Sequence, residues 1–207
     1  MKVLAINGSP HEKGAVYTAI RIIADELEAQ GIEVDIVHVG NKLIHGCIAC
    51  DYCGRQQKPK CVFNDDPVNE CLEKAEQADG IILGSPVYYS GIAGPMKSFL
   101  DRFFYAGANL QYKVGTVAVS LRRSGAVDTF HQLNNYLNLS NTIITPGPYW
   151  NAIHGMDGEQ VLEDIEGVQI MSTLGKNMAW LMKSIAFSKE SIPRPSLEKR
   201  VFTNFVR

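Results

Sequence analysis

Four cysteines lie within fifteen residues of one another, at Cys47, Cys50, Cys53 and Cys61. The two-residue spacings allow consecutive thiolates to converge on one metal centre, and the longer arm brings in the fourth, as in [4Fe–4S] ligation. The last spacing differs from the ferredoxin pattern. Four cysteines also bind zinc, although structural zinc sites usually pair two short knuckles. The pattern therefore predicts a metal or redox centre, and the alternatives are a cluster, zinc or no metal.

A fifth cysteine, Cys71, shares a helical apolar stripe with Val68, Leu72 and Ala75. This placement is typical of a small core residue rather than a ligand. The number of cysteines is odd, and the apolar stretch in the first residues is too short for a signal-peptide core, which favours a reducing compartment. A disulfide scaffold is therefore not indicated. We expect Cys71 to be buried and separate from the other four.

Glycine and serine mark a first loop, residues 8–16, which joins an apolar strand to a helix. Free N–H groups at a helix start, together with the helix dipole, bind anions, and Ser9 adds a hydroxyl. The loop has neither a Walker ending nor a Gly-x-Gly-x-x-Gly pattern. Taken alone, it favours a phosphate site only slightly over an ordinary polar turn.

Two later loops follow apolar strands. The second loop, residues 84–91, offers Tyr88, Tyr89 and backbone amides, against which a flat aromatic ligand could lie. The third loop, residues 121–126, supplies Arg122, Arg123 and glycine. The simpler alternatives are rim aromatics and solvated arginines.

Apolar strands alternate with helical stripes along the chain, in the order β-α-β-(loop)-α-β-α-β-α-β-α. Such alternation implies a parallel sheet covered on both faces. We predict an α/β, flavodoxin-like three-layer sandwich whose five-stranded parallel sheet has the order 2-1-3-4-5. In such sheets ligands bind beyond the carboxyl ends of the strands, where the three loops lie.

The predicted strands cover residues 2–6, 32–36, 81–83, 114–119 and 142–145. The third is expected to break at residues 84–86, and a last helix is expected to include Val161, Ile165 and Val168 and to run to about residue 183. We predict one domain over residues 1–187, which includes a cysteine loop at residues 41–65. Residues 188–207 are expected to form an extended C-terminal arm.

Composition narrows the function class. The 207 residues carry a net charge of −2, which argues against nucleic-acid binding through a positive field. No apolar run approaches the roughly 20 residues of a membrane span. We expect a cytoplasmic protein with no nucleic-acid or membrane partner.

Four segments together resemble the NADPH-dependent FMN reductase family, and within it most closely the iron–sulfur flavoproteins. They are residues 6–10, the cysteine loop ending at Asp65 and Asp66, residues 78–88 and residues 95–102. The Ser-Pro-Val-Tyr segment followed by Lys-x-Phe-x-Asp-Arg is the most specific part. The resemblance is dense from residue 2 to about residue 105.

The resemblance implies noncovalent FMN, reduced by NAD(P)H and oxidised by an unknown acceptor. It places FMN on Ser9, Pro10, His11, Gly14, Ala15, Val16, Tyr17, Thr18, Pro86, Val87, Tyr88, Tyr89, Ser90, Gly91, Arg122, Ser124 and Gly125. It implies a [4Fe–4S] cluster on Cys47, Cys50, Cys53 and Cys61, although many relatives keep cysteines here without a cluster. The flavin would carry the chemistry, so no side chain is predicted to be catalytic. A homodimer or homotetramer is also expected.

One departure keeps other hypotheses open. The family often has Gly-Asn-Thr or Gly-Asn-Ser before the first helix, where this chain has Gly14, Ala15 and Val16. We therefore expect weaker FMN retention, but not loss of the site. The alternatives are a non-enzymatic flavodoxin-like electron carrier, or a zinc-holding binding module with a vestigial flavin site.

Overall fold

Parallel strands in the order β2-β1-β3-β5-β6 form the centre of the structure, a computed structural model that describes residues 1–196, 198, 201 and 203. Short β4 pairs antiparallel with β3, and short β7 pairs parallel with β5. The strands are β1 Lys2–Asn7, β2 Glu33–His38, β3 Gly80–Tyr88, β4 Gly91–Ile92, β5 Val114–Leu121, β6 Ile143–Ile144 and β7 Ala152–His154.

Helices cover both faces of this sheet. They are α1 Ala15–Glu28, α2 Val68–Gln77, α3 Gly94–Tyr105, α4 Ala126–Leu139 and α5 Ile165–Ser188, with 3-10 turns at Cys53–Arg55 and Gln160–Leu162. Alternate residues of β1 separate two apolar cores. Leu4 and Ile6 pack with α2, α3 and α4, whereas Val3 and Ala5 pack with α1 and α5. The three-layer, flavodoxin-like class is thereby confirmed.

The apolar stripe of α1 shows why the local prediction succeeded. Val16, Ile20, Ile23 and Leu27 recur at helical spacing, and each is at most 1% exposed. Gly31 follows with a φ of +78°, the left-handed conformation that glycine supplies after a helix.

The sheet differs from the prediction in detail, because the described residues contain seven strands rather than five. The third strand does not break at residue 84. It stays paired with β5 as far as Pro86 and Ser120, and then turns back into β4. If the short antiparallel β4 is left out of the count, the observed path has the predicted order 2-1-3-4-5.

The last helix also begins later than predicted. Val161 lies in a separate 3-10 turn, because the Asp164 side chain accepts the N–H of Gly167 and so starts α5 after residue 164. The helix ends at Ser188 instead of about residue 183. None of the described helices is both long and apolar enough to cross a membrane.

The predicted C-terminal arm is described only in part. Tyr112 donates its hydroxyl to the carbonyl of Pro195, 3.4 Å away, so the beginning of the arm contacts the end of the sheet opposite the ligand loops. Lys199, Arg200 and Arg207 lie outside the described residues.

Candidate functional site

The start of α1, at the end of the first loop, presents N–H groups that have no partner among the described residues. Gly14 caps the helix without a side-chain hydrogen bond, and the first turn contains no acidic residue. The N–H of Thr18 is the first to donate within the helix, to Gly14 O, so those of Ala15, Val16 and Tyr17 precede the intrahelical ladder. This end of α1 therefore favours an anionic ligand through its amides and its dipole.

Buried Ser9 fixes the shape of the first loop. Its N–H donates to Asn7 Oδ1 over 3.0 Å, and its Oγ accepts the N–H of His11 over 3.1 Å. Its carbonyl lies 2.7 Å from His38 Nε2 at the end of β2. Since the hydroxyl keeps its own proton, Ser9 can still donate to a ligand. The His11 side chain points to solvent.

The second loop is a strained hairpin rather than an open loop. Val87 pairs with Ile92 and Tyr88 with Gly91, which leaves Tyr89 and Ser90 as the two turn residues. Both turn residues have positive φ, +49° and +58°, as a type I′ turn requires, although neither is glycine. Backbone strain of this kind is commonly found at functional sites. The Tyr89 side chain is fully exposed at the tip.

Gln132 of α4 holds this hairpin in place. Its Oε1 accepts the N–H of Ile92 over 3.2 Å, and its Nε2 donates to Ser90 O over 3.4 Å. The hairpin position therefore depends on α4 as well as on β3.

The three loops meet at one edge of the sheet. The N–H of Gly8 donates to Gly84 O over 2.9 Å, which joins the first loop to β3. Gly125 in the third loop has a φ of +89°, and a Cβ at this position would lie 2.9 Å from both Ser90 Oγ and Val87 Cγ1. The predicted residues thus come from neighbouring loops, as the topology requires.

The structure also shows which predicted residues lie apart from the others. Ser124 and Gly125 line a cavity of about 340 Å³, whereas Arg122 is exposed and does not line it. Thr18 lies under residue 158, where an added Cβ would be 2.8 Å from Thr18 Oγ1. The same Cβ would lie 3.2 Å from Lys13 O, so the segment after β7 packs against the end of the first loop and the start of α1, a contact that the sequence did not reveal.

The same cavity contains residues that sequence reasoning missed. Tyr149 and Trp150 form an aromatic wall, and His154 contacts Asp164, with Nδ1 and Oδ2 3.1 Å apart. Burial raises the pKa of the Asp164 carboxyl, but hydrogen bonds from Gly167 and His154 outweigh this effect and lower the pKa below its usual value. In the sequence, this wall could have been predicted from the two adjacent aromatic residues in the run Gly147-Pro148-Tyr149-Trp150.

The cysteine loop folds without strands. It contains one 3-10 turn, and the residues on both sides of Cys50 are left-handed, with φ of +51° at Ala49 and +54° at Asp51. These two reversals curl the chain around Cys50. Cys47 and Cys50 are exposed, whereas Cys53 and Cys61 are partly buried against the core.

All four predicted thiols line one small cavity of about 20 Å³, together with Phe63, Tyr105 and Arg102. The thiols are free, and no group of three ligating side chains in the described part of the chain has metal-binding geometry. The space has room for about one water. The donor set therefore fits a thiolate-bound metal centre, while the present spacing of the thiols is not that of bonded ligands.

Arg102 of α3 anchors the cysteine loop. It is 1% exposed and forms a buried ion pair with Asp66. Its Nε donates to Cys61 Sγ over 3.2 Å, and Nη1 donates to His45 O over 3.3 Å. Burial lowers the pKa of the guanidinium, but the hydrogen bonds and charges of Asp66 and Cys61 outweigh it and raise the pKa. Sequence reasoning missed this role, although Arg102 lies on the apolar stripe of α3.

Asn69 of α2 is a second anchor. Its Oδ1 accepts the N–H of Cys61 over 2.7 Å, and its Nδ2 donates to the carbonyls of Cys61 and Phe63. By contrast, Cys71 is buried in the core, and burial raises the pKa of its thiol to about 12. This confirms that Cys71 is buried and apart from the cluster of four.

Comparisons with known proteins agree with this geometry. A model of the NADPH-dependent FMN reductase family matches residues 1–157. An iron–sulfur flavoprotein of Methanocaldococcus jannaschii is 34% identical over 195 residues, which are 89% of this chain and 99% of that protein. An iron–sulfur flavoprotein of Archaeoglobus fulgidus is 31% identical over 205 residues, 98% of this chain and 90% of its own.

Among solved structures, RosB with a bound 8-demethyl-8-formylriboflavin-5'-phosphate intermediate has a TM-score of 0.69 at 16% identity. The match covers 100% of this chain and 94% of RosB. An archaeal flavodoxin has a TM-score of 0.59 at 16% identity and covers 88% of this chain and 99% of its own. These likenesses support the fold, and the sequence matches confirm the resemblance to the family.

Proposed function

This chain belongs to the NADPH-dependent FMN reductase family, an oxidoreductase family, and we propose that it passes electrons from NAD(P)H through bound FMN to an acceptor. We further propose that Cys47, Cys50, Cys53 and Cys61 hold a [4Fe–4S] cluster on that route. The observation that carries the flavin proposal is the meeting of three loops at the carboxyl ends of β1, β3 and β5.

The first loop is proposed to bind the phosphate of FMN. The amides of Ala15, Val16 and Tyr17 would donate to it, and Ser9 would add its hydroxyl. Glycine at position 14 lets His11 pack closely before the helix, since an added Cβ would lie 2.9 Å from the His11 Cβ. Because Ala15 and Val16 bring no polar side chain, phosphate affinity depends on the backbone, and FMN retention is expected to be weaker than in relatives that carry Asn and Thr here.

The second and third loops are proposed to hold the flavin ring. The hairpin from Pro86 to Gly91 would lie against the ring, with Ser124 and Gly125 on the adjoining loop. FMN, when bound, accepts a hydride from a reduced nicotinamide and can release its electrons singly. The protein orients the ring and limits its access to solvent.

The cysteine proposal is supported by the donor set and by the relatives. Four free thiols line one cavity, two of them on the solvent side, and a buried cation contacts one of them. Proteins named iron–sulfur flavoproteins match over nearly the whole chain. Iron–sulfur clusters are commonly held by the thiolates of four cysteines.

The electron-transfer proposal can be tested by mixing FMN-loaded protein with NADPH or NADH without oxygen. Rapid loss of the flavin absorbance is expected, because the flavin takes up a hydride. Protein that keeps its yellow colour with both nucleotides, but is bleached by dithionite, would instead be an electron carrier supplied by another partner.

The cluster proposal can be tested with Cys50→Ser in anaerobically prepared protein. We expect the broad brown absorbance to disappear, since one of four ligands is lost, while FMN binding persists. Cys71→Ala is the matched control and should keep the brown absorbance, because Cys71 lies in the core. Zinc without iron in the unchanged protein would contradict the cluster, and loss of FMN with Cys50→Ser would mean that this loop shapes the flavin pocket.

A homodimer or homotetramer and a cytoplasmic location, both expected from the sequence, stay predictions. Light scattering of the purified protein measures the first directly, and a monomeric mass would contradict it.

A further inference from the structure

Arg102 is a buried cation, and its polar partners among the described residues all lie in the cysteine loop or, for Asp66, directly after it. It projects from the core face of α3, where it is 1% exposed between Phe99 and Phe103. A guanidinium is rarely buried to this extent without a compensating charge, and Asp66, with a 2% exposed side chain, provides one.

The hydrogen bonds of this guanidinium converge on the chain around the thiols. Nε lies 3.2 Å from Cys61 Sγ, Nη1 contacts Asp66 and His45 O, and Nη2 lies 3.5 Å from Phe63 O. The guanidinium carbon also lies 4.9 Å from the centre of the Phe63 ring. The planar guanidinium thus holds the loop in place and also brings a positive charge against Cys61, a proposed ligand.

This contact has an electrostatic consequence that anchoring alone does not have. Reduction of a thiolate-bound cluster adds one electron, and no bond to Arg102 forms or breaks. An N–H group donated to a ligating sulfur, and a nearby cation, stabilise the more negative state and so raise the reduction potential. Asp66 acts in the opposite sense, because its carboxylate repels the added charge.

We propose that Arg102 sets the reduction potential of the metal centre by its N–H bond to Cys61 and its charge, and that Asp66 moderates this effect. The inference rests on the proposed cluster. Arg102 is a positioning and tuning residue, not a catalytic one, since it acts through Cys61.

The exposed side of the same cavity carries other charges, and these do not replace Arg102. Asp51 lines the cavity, and Arg55 donates to Cys50 O over 3.4 Å, but both residues are exposed. Water screens such charges, whereas the Arg102 and Asp66 pair is shielded from solvent. The buried pair should therefore dominate the potential.

The test measures the midpoint reduction potential of the metal centre. Iron- and sulfide-loaded protein is titrated with dithionite in the presence of redox mediators, and the EPR signal of the reduced centre is monitored. Arg102→Gln keeps an N–H donor but removes the charge. We expect at least a tenfold lower ratio of reduced to oxidised centre at a fixed potential, which is about 59 mV for one electron. Asp66→Asn should shift the midpoint the other way, toward easier reduction.

Lys97→Gln is the matched control, because Lys97 is a cation on the exposed face of the same helix, paired with Asp101. The midpoint reduction potential of the Lys97→Gln variant should equal that of the unchanged protein. Opposite shifts for Arg102→Gln and Asp66→Asn would support a tuning role. A purely structural anchor would instead lower cluster content without opposite shifts.

The possible failures can be told apart. If Arg102→Gln does not fold, Asp66→Asn alone decides, because it keeps the cation and must raise the potential. Normal loading with unchanged midpoints, or shifts of equal sign, would overturn this inference and leave the cluster proposal standing. No uptake of iron and sulfide by the unchanged protein would overturn both.

Discussion

The flavin loops and the cysteine loop are built by different means. The three flavin loops continue strands of the sheet, and a backbone bond from Gly8 N–H to Gly84 O joins the first loop to β3. The cysteine loop has no strand, and side chains from other elements hold it, chiefly Arg102 and Asn69. Topology therefore fixes the first site, whereas a few long-range side chains fix the second.

This difference predicts that the cysteine loop is more sensitive to a single polar substitution. Arg102→Met should lower the free energy of unfolding by about 3–5 kcal/mol, because Asp66 is left buried without its partner. Urea unfolding of the metal-free protein measures this. The double variant Arg102→Met with Asp66→Leu should recover most of the loss, since no charge then stays buried. A loss below about 1 kcal/mol for the single variant would remove the distinction between the two regions.

The flavin side should instead be most sensitive to backbone crowding. A Cβ on Gly40 would lie 2.1 Å from the carbonyl oxygen of Ser9, so Gly40→Ala must push the first loop away from β2. We expect a cost of about 1–3 kcal/mol and weaker FMN retention, with normal iron content.

Gly46→Ala is the control for that substitution, because nothing lies within 4 Å of a Cβ at this position in the cysteine loop. It should leave both stability and FMN retention unchanged. If Gly40→Ala removed iron but spared FMN, the assignment of the two loops to two cofactors would be wrong.

The smallest effect is expected at Asp164, a side-chain anchor on the flavin side. Asp164→Ala should cost about 1 kcal/mol at neutral pH, because Gly167 and His154 lose their acceptor. The folded pKa of this carboxyl is lowered, so its contribution is complete above the usual aspartate pKa of about 3.9 and is lost as the pH falls through the folded value.

The check is the difference in unfolding free energy between the unchanged protein and Asp164→Ala as the pH falls. The difference should shrink in acid, and Asp164→Asn should lose less than Asp164→Ala because an acceptor for Gly167 stays. A difference that grows in acid would contradict the direction of the pKa shift.

The same contrast explains what could be predicted from the sequence. Val16, Ile20 and Ile23 repeat within one helix, so local spacing reveals the α1 stripe and the loop before it. The strands β4 and β7 were missed because two or three residues carry too little periodicity, and the pairing of β4 depends on the hairpin at Tyr89 and Ser90.

The sequence predicted that the four cysteines form one group, but it did not predict which side chains hold their loop in place. Arg102 reaches Asp66 and His45 across 36 and 57 residues of sequence, and no local pattern encodes such contacts. Its position on the α3 stripe was a visible anomaly, since a charged residue among Phe99 and Phe103 must find a buried partner. The aromatic wall at Tyr149 and Trp150 depended in the same way on where β7 pairs.

The most direct test of the central claim is a fluorescence titration of flavin-free protein with FMN and, in parallel, with riboflavin. FMN should saturate at one molecule per chain, and riboflavin should bind more weakly, because it lacks the phosphate that the amides of Ala15, Val16 and Tyr17 would hold. Equal affinity for the two would contradict the phosphate site on the first loop. If the protein takes up no FMN, the proposal that the three loops together form a flavin pocket is contradicted.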